Sequence, residues 1–89
     1  MSRVRWTSPA IVQLTDIVSH IRQDNPEAAR KVAQSIVKSI ERLKTFPSIG
    51  RPGEKEGTRE LVSSAYVIVY RLKEDVAEIL YIWHGAQDW

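Results

Sequence analysis

The arrangement that most constrains this chain is a capping residue followed by proline, which occurs twice ahead of an apolar stripe, at Ser8-Pro9 and at Asn25-Pro26. A side-chain oxygen at the cap satisfies an otherwise orphaned amide, and proline at the first helical position has no amide to lose. The first helix is therefore predicted to start near Pro9. Its apolar residues Ile11, Leu14, Ile17, Val18 and Ile21 recur at helical spacing, with Gln13, Asp16, Ser19 and Arg22 predicted to face away. The second helix opens at Asn25-Pro26-Glu27, which places an acid at the positive end of the helix dipole. It carries the stripe Ala29, Val32, Ala33, Ile36, Val37, Ile40 and Leu43 and runs to about Lys44. The link Gln23-Asp24-Asn25 is short, so an antiparallel helical hairpin is the natural arrangement. Arg30, Lys31, Lys38 and Arg42 on the second helix read as a solvated face.

Two prolines and two glycines in Phe46 to Gly53 break the helical pattern and turn the chain across the surface. Arg59 to Val62 then reads as a short strand, Ser63-Ser64 as a bend, and Ala65 to Leu72 as a strand rich in aromatic and β-branched residues. Lys73-Glu74-Asp75 is a tight polar turn. Val76 to Trp83 is apolar on both faces and is predicted to be a central strand covered on both sides. Val4 and Trp6, alternating with Arg3 and Arg5, add an N-terminal strand. The order strand, helix, helix, then three strands gives an α+β fold, a helical pair layered on one antiparallel sheet.

With 89 residues the chain is read as one domain over residues 1–89, near the margin of independent stability. It has no cysteine and two histidines, His20 and His84, so no metal site and no cofactor is predicted. The N-terminus lacks an apolar signal core and no stretch is long enough to span a bilayer, which predicts a soluble, cytoplasmic protein. A formal charge of +2 and a sequence pI of about 9.2 permit nucleic-acid contact without demanding it.

No phosphate-binding GK[ST] loop, no GxSxG and no HExxH occurs. What remains for chemistry is a polar set near the loop and the last strand: Arg51, Glu54, Lys55, Arg59, Arg71, His84, Gln87 and Asp88. Glu54 or His84 could transfer protons if burial or neighbours tuned them, and the three arginines could hold a phosphate through paired hydrogen bonds. The competing reading of His84 is a strand-end histidine bonded to backbone. Trp6, Tyr66, Tyr70, Tyr81 and Trp83 read as core or sheet surface, and His20 carries no assigned role.

Six segments in order resemble the RelE/ParE superfamily, the small toxins of bacterial type II toxin–antitoxin pairs. They are WTSPAIVQL at 6–14, DNPEAA at 24–29, IERLKTFPSIGRPG at 40–53, TRELV at 58–62, YVIVYR at 66–71 and ILYIWHG at 79–85. The resemblance covers nearly the whole chain and implies an N-terminal strand and a two-helix hairpin packed on a small twisted antiparallel sheet.

The superfamily divides by target. Members similar to RelE cut messenger RNA on the ribosome and carry an arginine after the first tyrosine of the strand matching Ala65 to Arg71. Here that position is Val67, and Thr58, Glu60 and Val62 occupy places that are lysine- and arginine-rich in that branch. Gln87 stands where that branch has a further arginine. A second ribonuclease pattern, similar to YoeB, pairs a loop glutamate and a C-terminal histidine, for which Glu54 and His84 are the candidates. Losing one charge-stabilising donor costs on the order of a hundredfold in rate, and several are lost here. The chain is thus most similar to the ParE branch, whose members trap DNA gyrase and are neutralised by a ParD-like or other ribbon-helix-helix antitoxin. The target contacts expected on that reading are Arg59, Arg71, His84, Gln87, Asp88 and Trp89. The alternatives are a ribosome-dependent endoribonuclease using Arg51, Glu54, Lys55, Arg59 and His84, and a non-toxic homologue that only binds antitoxin.

Overall fold

A computed structural model describes residues 2–85. In chain order it has β1 (Arg3–Trp6), α1 (Ser8–Asp24), α2 (Pro26–Glu41), a single 3-10 turn (Arg42–Lys44), β2 (Arg51–Pro52), β3 (Thr58–Ser63), β4 (Tyr66–Lys73) and β5 (Val76–His84). The five strands form one sheet in the order β1-β5-β4-β3-β2, and the two helices pack on one of its faces. The predicted antiparallel sheet needs one correction. β1 lies parallel to β5, while the other three pairings are antiparallel, so the sheet is mixed. A parallel pair needs a long crossover between its strands, and both helices and three strands intervene between β1 and β5.

The helix starts differ in one detail. Thr7, not Ser8, is the cap of α1, and its hydroxyl donates to the Ile79 carbonyl at 2.6 Å instead of capping the helix. Its backbone is still engaged with β5, through Thr7 N–H to the same carbonyl at 3.2 Å. Asn25 alone joins the helices. Its amide closes α1 onto the Ile21 carbonyl, and its side chain accepts from the Ala28 amide at 3.0 Å to open α2. The α1 stripe holds at Leu14, Ile17 and Ile21, which pack against the core, and departs from the prediction at the first turn and at Gln13. Ala10 takes the fully buried position while Ile11 is 51% exposed, and Gln13 turns inward to accept the Ile82 amide at 2.6 Å. β1 ends at Trp6, which leaves β5 beyond Ile79 without a neighbouring strand on that side, and a buried amide there needs another acceptor. On α2 the stripe holds for Ala29, Ile36, Ile40 and then Leu43, whereas Val37 is exposed.

Ile36, Ile40 and Leu43 press on Ile68, Tyr70 and Ile79 to make the core, and each such side chain contributes on the order of 2 kcal/mol by leaving water. Ser63, predicted as part of a bend, ends β3 and is buried. It accepts from Ser39 at 3.0 Å and shares a hydrogen bond with Ser35 at 3.1 Å, tying α2 to the sheet. β5 is an interior strand, as predicted, between β1 and β4; β4 is the middle one of the five, with Tyr66 to Tyr70 buried on both faces. An irregularity in the β4–β5 ladder leaves Leu80 without a partner, since Tyr70 pairs with Ile79 and Val69 with Tyr81. Ile79 and Ile82 therefore both face the helices, and Glu78, Tyr81 and Trp83 face the other side.

Candidate functional site

The face of the sheet without helices is the natural place for a site, and strand parity decides which side chains reach it. Residues opposite one another in register share a face. Thr58, Glu60 and Val62 from β3, Val67, Val69 and Arg71 from β4, and Glu78, Tyr81 and Trp83 from β5 belong to this open face. Above them the loop from Gly53 to Gly57 folds over, leaving a cleft of about 730 Å³ lined by Gln13, Glu54, Lys55, Glu56, Thr58, Glu60, Val69, Arg71, Leu80, Tyr81 and Trp83. A smaller recess beside it is bounded by Arg51, Pro52, Gly53, Glu54, Glu60, Val67 and Trp83.

The chain leading into that loop is held from beneath. The Tyr70 hydroxyl donates to the Pro47 carbonyl at 2.8 Å and accepts the Gly50 amide at 3.0 Å. Burial pushes the Tyr70 phenol up from its ordinary 10.0, against the lowering effects of the Gly50 hydrogen bond and the Arg59 guanidinium. Arg59 donates to the carbonyls of Gly50 at 2.7 Å and Ser48 at 3.1 Å. Gly50 has to be glycine here, since a Cβ would stand 2.7 Å from the Tyr70 ring and hydroxyl. Thr58 closes the loop, its hydroxyl donating to the Lys55 carbonyl at 2.6 Å.

The polar residues singled out in the sequence are divided by this geometry. Glu54 and Lys55 line the cleft, and Arg71 reaches it with its Nε donating to Glu78 at 2.7 Å. Arg51 lies beside them on β2 and pairs with Glu60 at 3.0 Å. Arg59 and His84 belong to the opposite parity. Arg59 stands opposite Tyr70, and His84 stands opposite Tyr66, packing edge to face with ring centroids 5.1 Å apart. The ribonuclease set Arg51, Glu54, Lys55, Arg59 and His84 is therefore not assembled in one place. Gln87, Asp88 and Trp89 lie outside the described residues.

Sequence reasoning missed Glu78. It is 6% exposed and forms ion pairs with Arg5 of β1 and Arg71 of β4, linking three strands. The signal was available, because Glu78 is the one charged residue inside the apolar run Val76 to Trp83, and a carboxylate buried there requires cationic partners. Among the described residues no three acidic or histidine side chains come together as metal ligands would.

Comparison with known proteins agrees with this architecture. Residues 4–89 match the family model of the ParE toxin of the type II toxin–antitoxin system parDE. The chain is 42% identical to Y4kP, a candidate toxin of Sinorhizobium fredii, over 98% of this chain and 92% of that protein. It is 31% identical to toxin RelE2 of Caulobacter vibrioides, over 98% and 99% respectively. A chain from the chromosomal ParDE system of P. aeruginosa superposes with a TM-score of 0.84 at 30% identity, covering 94% of this chain and 96% of that one. A chain of the RelBE2 toxin–antitoxin complex of Mycobacterium tuberculosis shares the fold, with a TM-score of 0.70 at 22% identity over 93% and 96%. No helix among the described residues is long and apolar enough to cross a membrane. The chain belongs to the ParE toxin family of type II toxin–antitoxin systems.

Proposed function

We propose that this toxin acts by binding DNA gyrase and does not cleave RNA, and that a cognate antitoxin holds it inactive. The observation that carries the reading is the charge of the cleft. Its walls present Glu54, Glu56 and Glu60 against Lys55 and Arg71; Glu60 is paired with Arg51 and Arg71 shares its charge with Glu78, which leaves Glu54 and Glu56 facing Lys55. RNA cleavage through a 2′-hydroxyl builds negative charge on a pentacoordinate phosphate, and the catalyst must aim donors at it. A net negative charge around that phosphate opposes the step. Val67, at the position where the ribonuclease branch carries arginine, is 7% exposed beneath this surface.

A binding toxin needs none of that machinery. It needs a surface that prefers one state of its target, since a ligand with equal affinity for two states shifts neither. The antitoxin partner is supported by relatives whose solved structures are toxin–antitoxin systems. Ile11 and Val12 on α1 and Val37 on α2 stay exposed on the helical hairpin and suit the apolar stripe of an antitoxin helix.

Two assays on the purified chain test the target. Added to gyrase in a supercoiling reaction, the toxin is expected to accumulate cleaved DNA. Added to a translating ribosome extract, it is expected to leave message intact. Codon-phased cuts in message with unimpaired supercoiling would overturn the proposal.

A further inference from the structure

The open face carries a second feature, at the end of the sheet opposite Trp83. Arg3 on β1 and Lys73 on β4 both stand beside Val76 of β5, and one row further on Arg5 and Arg71 both stand beside Glu78. With strands about 4.8 Å apart and alternate residues about 6.7 Å apart along a strand, the four cations mark the corners of a rectangle of about 10 by 7 Å. Glu78 engages one edge of each guanidinium, and a guanidinium has five donors, so outward-facing N–H groups remain on both arginines. Their side chains are 62% and 49% exposed. Arg3 and Lys73 are exposed and make no ion pair among the described residues. Glu74 and Asp75, in the turn after Lys73, bound the surface at the hairpin end.

Two ordinary explanations fall short. Charged side chains on an edge strand guard against edge-to-edge aggregation. That accounts for Arg3 and Arg5 on β1, but not for Arg71 and Lys73, which stand on the middle strand. An acidic polypeptide would match the charge, yet protein interfaces draw their affinity from an apolar centre. The exposed large apolar side chains lie elsewhere, on α1, on α2, in the 46–49 loop, on β3 and in the far half of β5. A partner bound chiefly through its anionic backbone fits a surface without them.

We propose that this corner, with Arg3, Arg5, Arg71 and Lys73 set around Glu78, binds the phosphodiester backbone of duplex DNA. The gyrase reading enters only in naming the DNA concerned, the segment held by the target enzyme. Backbone binding itself is measured without gyrase, so the two can fail separately.

The test is fluorescence anisotropy of a short labelled duplex with the full-length protein over a series of salt concentrations. The double variant Arg3→Gln/Lys73→Gln leaves Glu78 and both its partners in place and changes only exposed side chains, and thermal unfolding verifies that it is folded. It is expected to weaken binding by about tenfold at low salt and to lower the slope of log affinity against log salt by about 2. The control Lys31→Gln/Arg42→Gln removes the same charge from α2 and the turn after it, and is expected to leave that slope as in the wild type. Wild-type behaviour of the first variant would overturn the proposal, as would equal losses in both variants. Competition by polyglutamate as effective as that by unlabelled duplex would also overturn it, in favour of an acidic polypeptide.

Discussion

Tyr70 is the residue on which the loop beside the cleft depends. Its hydroxyl is engaged on both sides, by the Gly50 amide and the Pro47 carbonyl, in a fully buried position. Tyr70→Phe keeps the ring and strands both backbone groups, and an unsatisfied buried group costs roughly 1–3 kcal/mol. Chemical denaturation should register a loss in that range. The pH dependence follows from the direction of the shift. The folded phenol ionises above its unfolded value of 10.0, so the folded state holds the proton more tightly. The stabilisation is complete below pH 10.0 and is lost as pH rises from there through the folded value. The stability gap between wild type and Tyr70→Phe is therefore expected to narrow as denaturation is repeated above pH 10.0; a constant gap would contradict it. Gly50→Ala attacks the same unit from the other side. Its Cβ would press on Tyr70 at 2.7 Å and on the Glu60 carbonyl at 2.9 Å, and overpacking of this kind costs about 1–3 kcal/mol.

Among the elements, those whose cause is local were legible in advance. The cap-and-proline signals put the starts of α1 and α2 within a residue of those observed, because proline at a first turn acts on its own neighbours, whereas the ends differ: α1 runs through Asp24, and α2 gives way to a 3-10 turn at Arg42, short of the predicted Lys44. Asn25 serves both helices, and Asn25→Ala should lower the thermal midpoint by an amount corresponding to about 1 kcal/mol, while Asn25→Asp retains the cap. β2, two residues long, left no pattern to read, and the parallel docking of β1 depends on a partner 73 positions along the chain, Arg3 with Val76. Besides the backbone ladder and the packing of Val4 and Trp6 on the core, Glu78 supports that docking, its carboxylate tying β1 and β4 to β5. Glu78→Gln keeps the shape and removes the charge. With both arginines about half exposed, the expected loss is about 1–2 kcal/mol, below that of a fully buried pair. It should be larger at low than at high salt, and a loss independent of salt would mean that packing and not charge sets the register.

At the scale of the whole molecule, the sequence offered a set of polar residues but not the face of the sheet each one takes. Arg59 and Arg71 look equivalent in the chain, yet odd and even positions change faces from strand to strand with the register, and the ladder irregularity at Leu80 shifts it again along β5. Parity sends Arg59 to the loop carbonyls and His84 to Tyr66, so proton chemistry in the cleft falls to Glu54 without the histidine once paired with it. This makes Glu54 the sharpest probe of how the toxin works. If the cleft ran a chemical step, Glu54→Gln would remove its proton-transfer group and cost roughly a hundredfold or more in activity. If the molecule acts by binding, the substitution exchanges one exposed cleft-side polar group for another of the same shape. Growth arrest on induced expression should then stay within about twofold of wild type, because an exposed charge at the margin of an interface chiefly alters the rate of encounter. Dose–response of growth against toxin level, with expression matched by immunoblot, separates the two outcomes. A hundredfold loss of toxicity in a folded Glu54→Gln variant would return the cleft to catalysis and gyrase binding to second place.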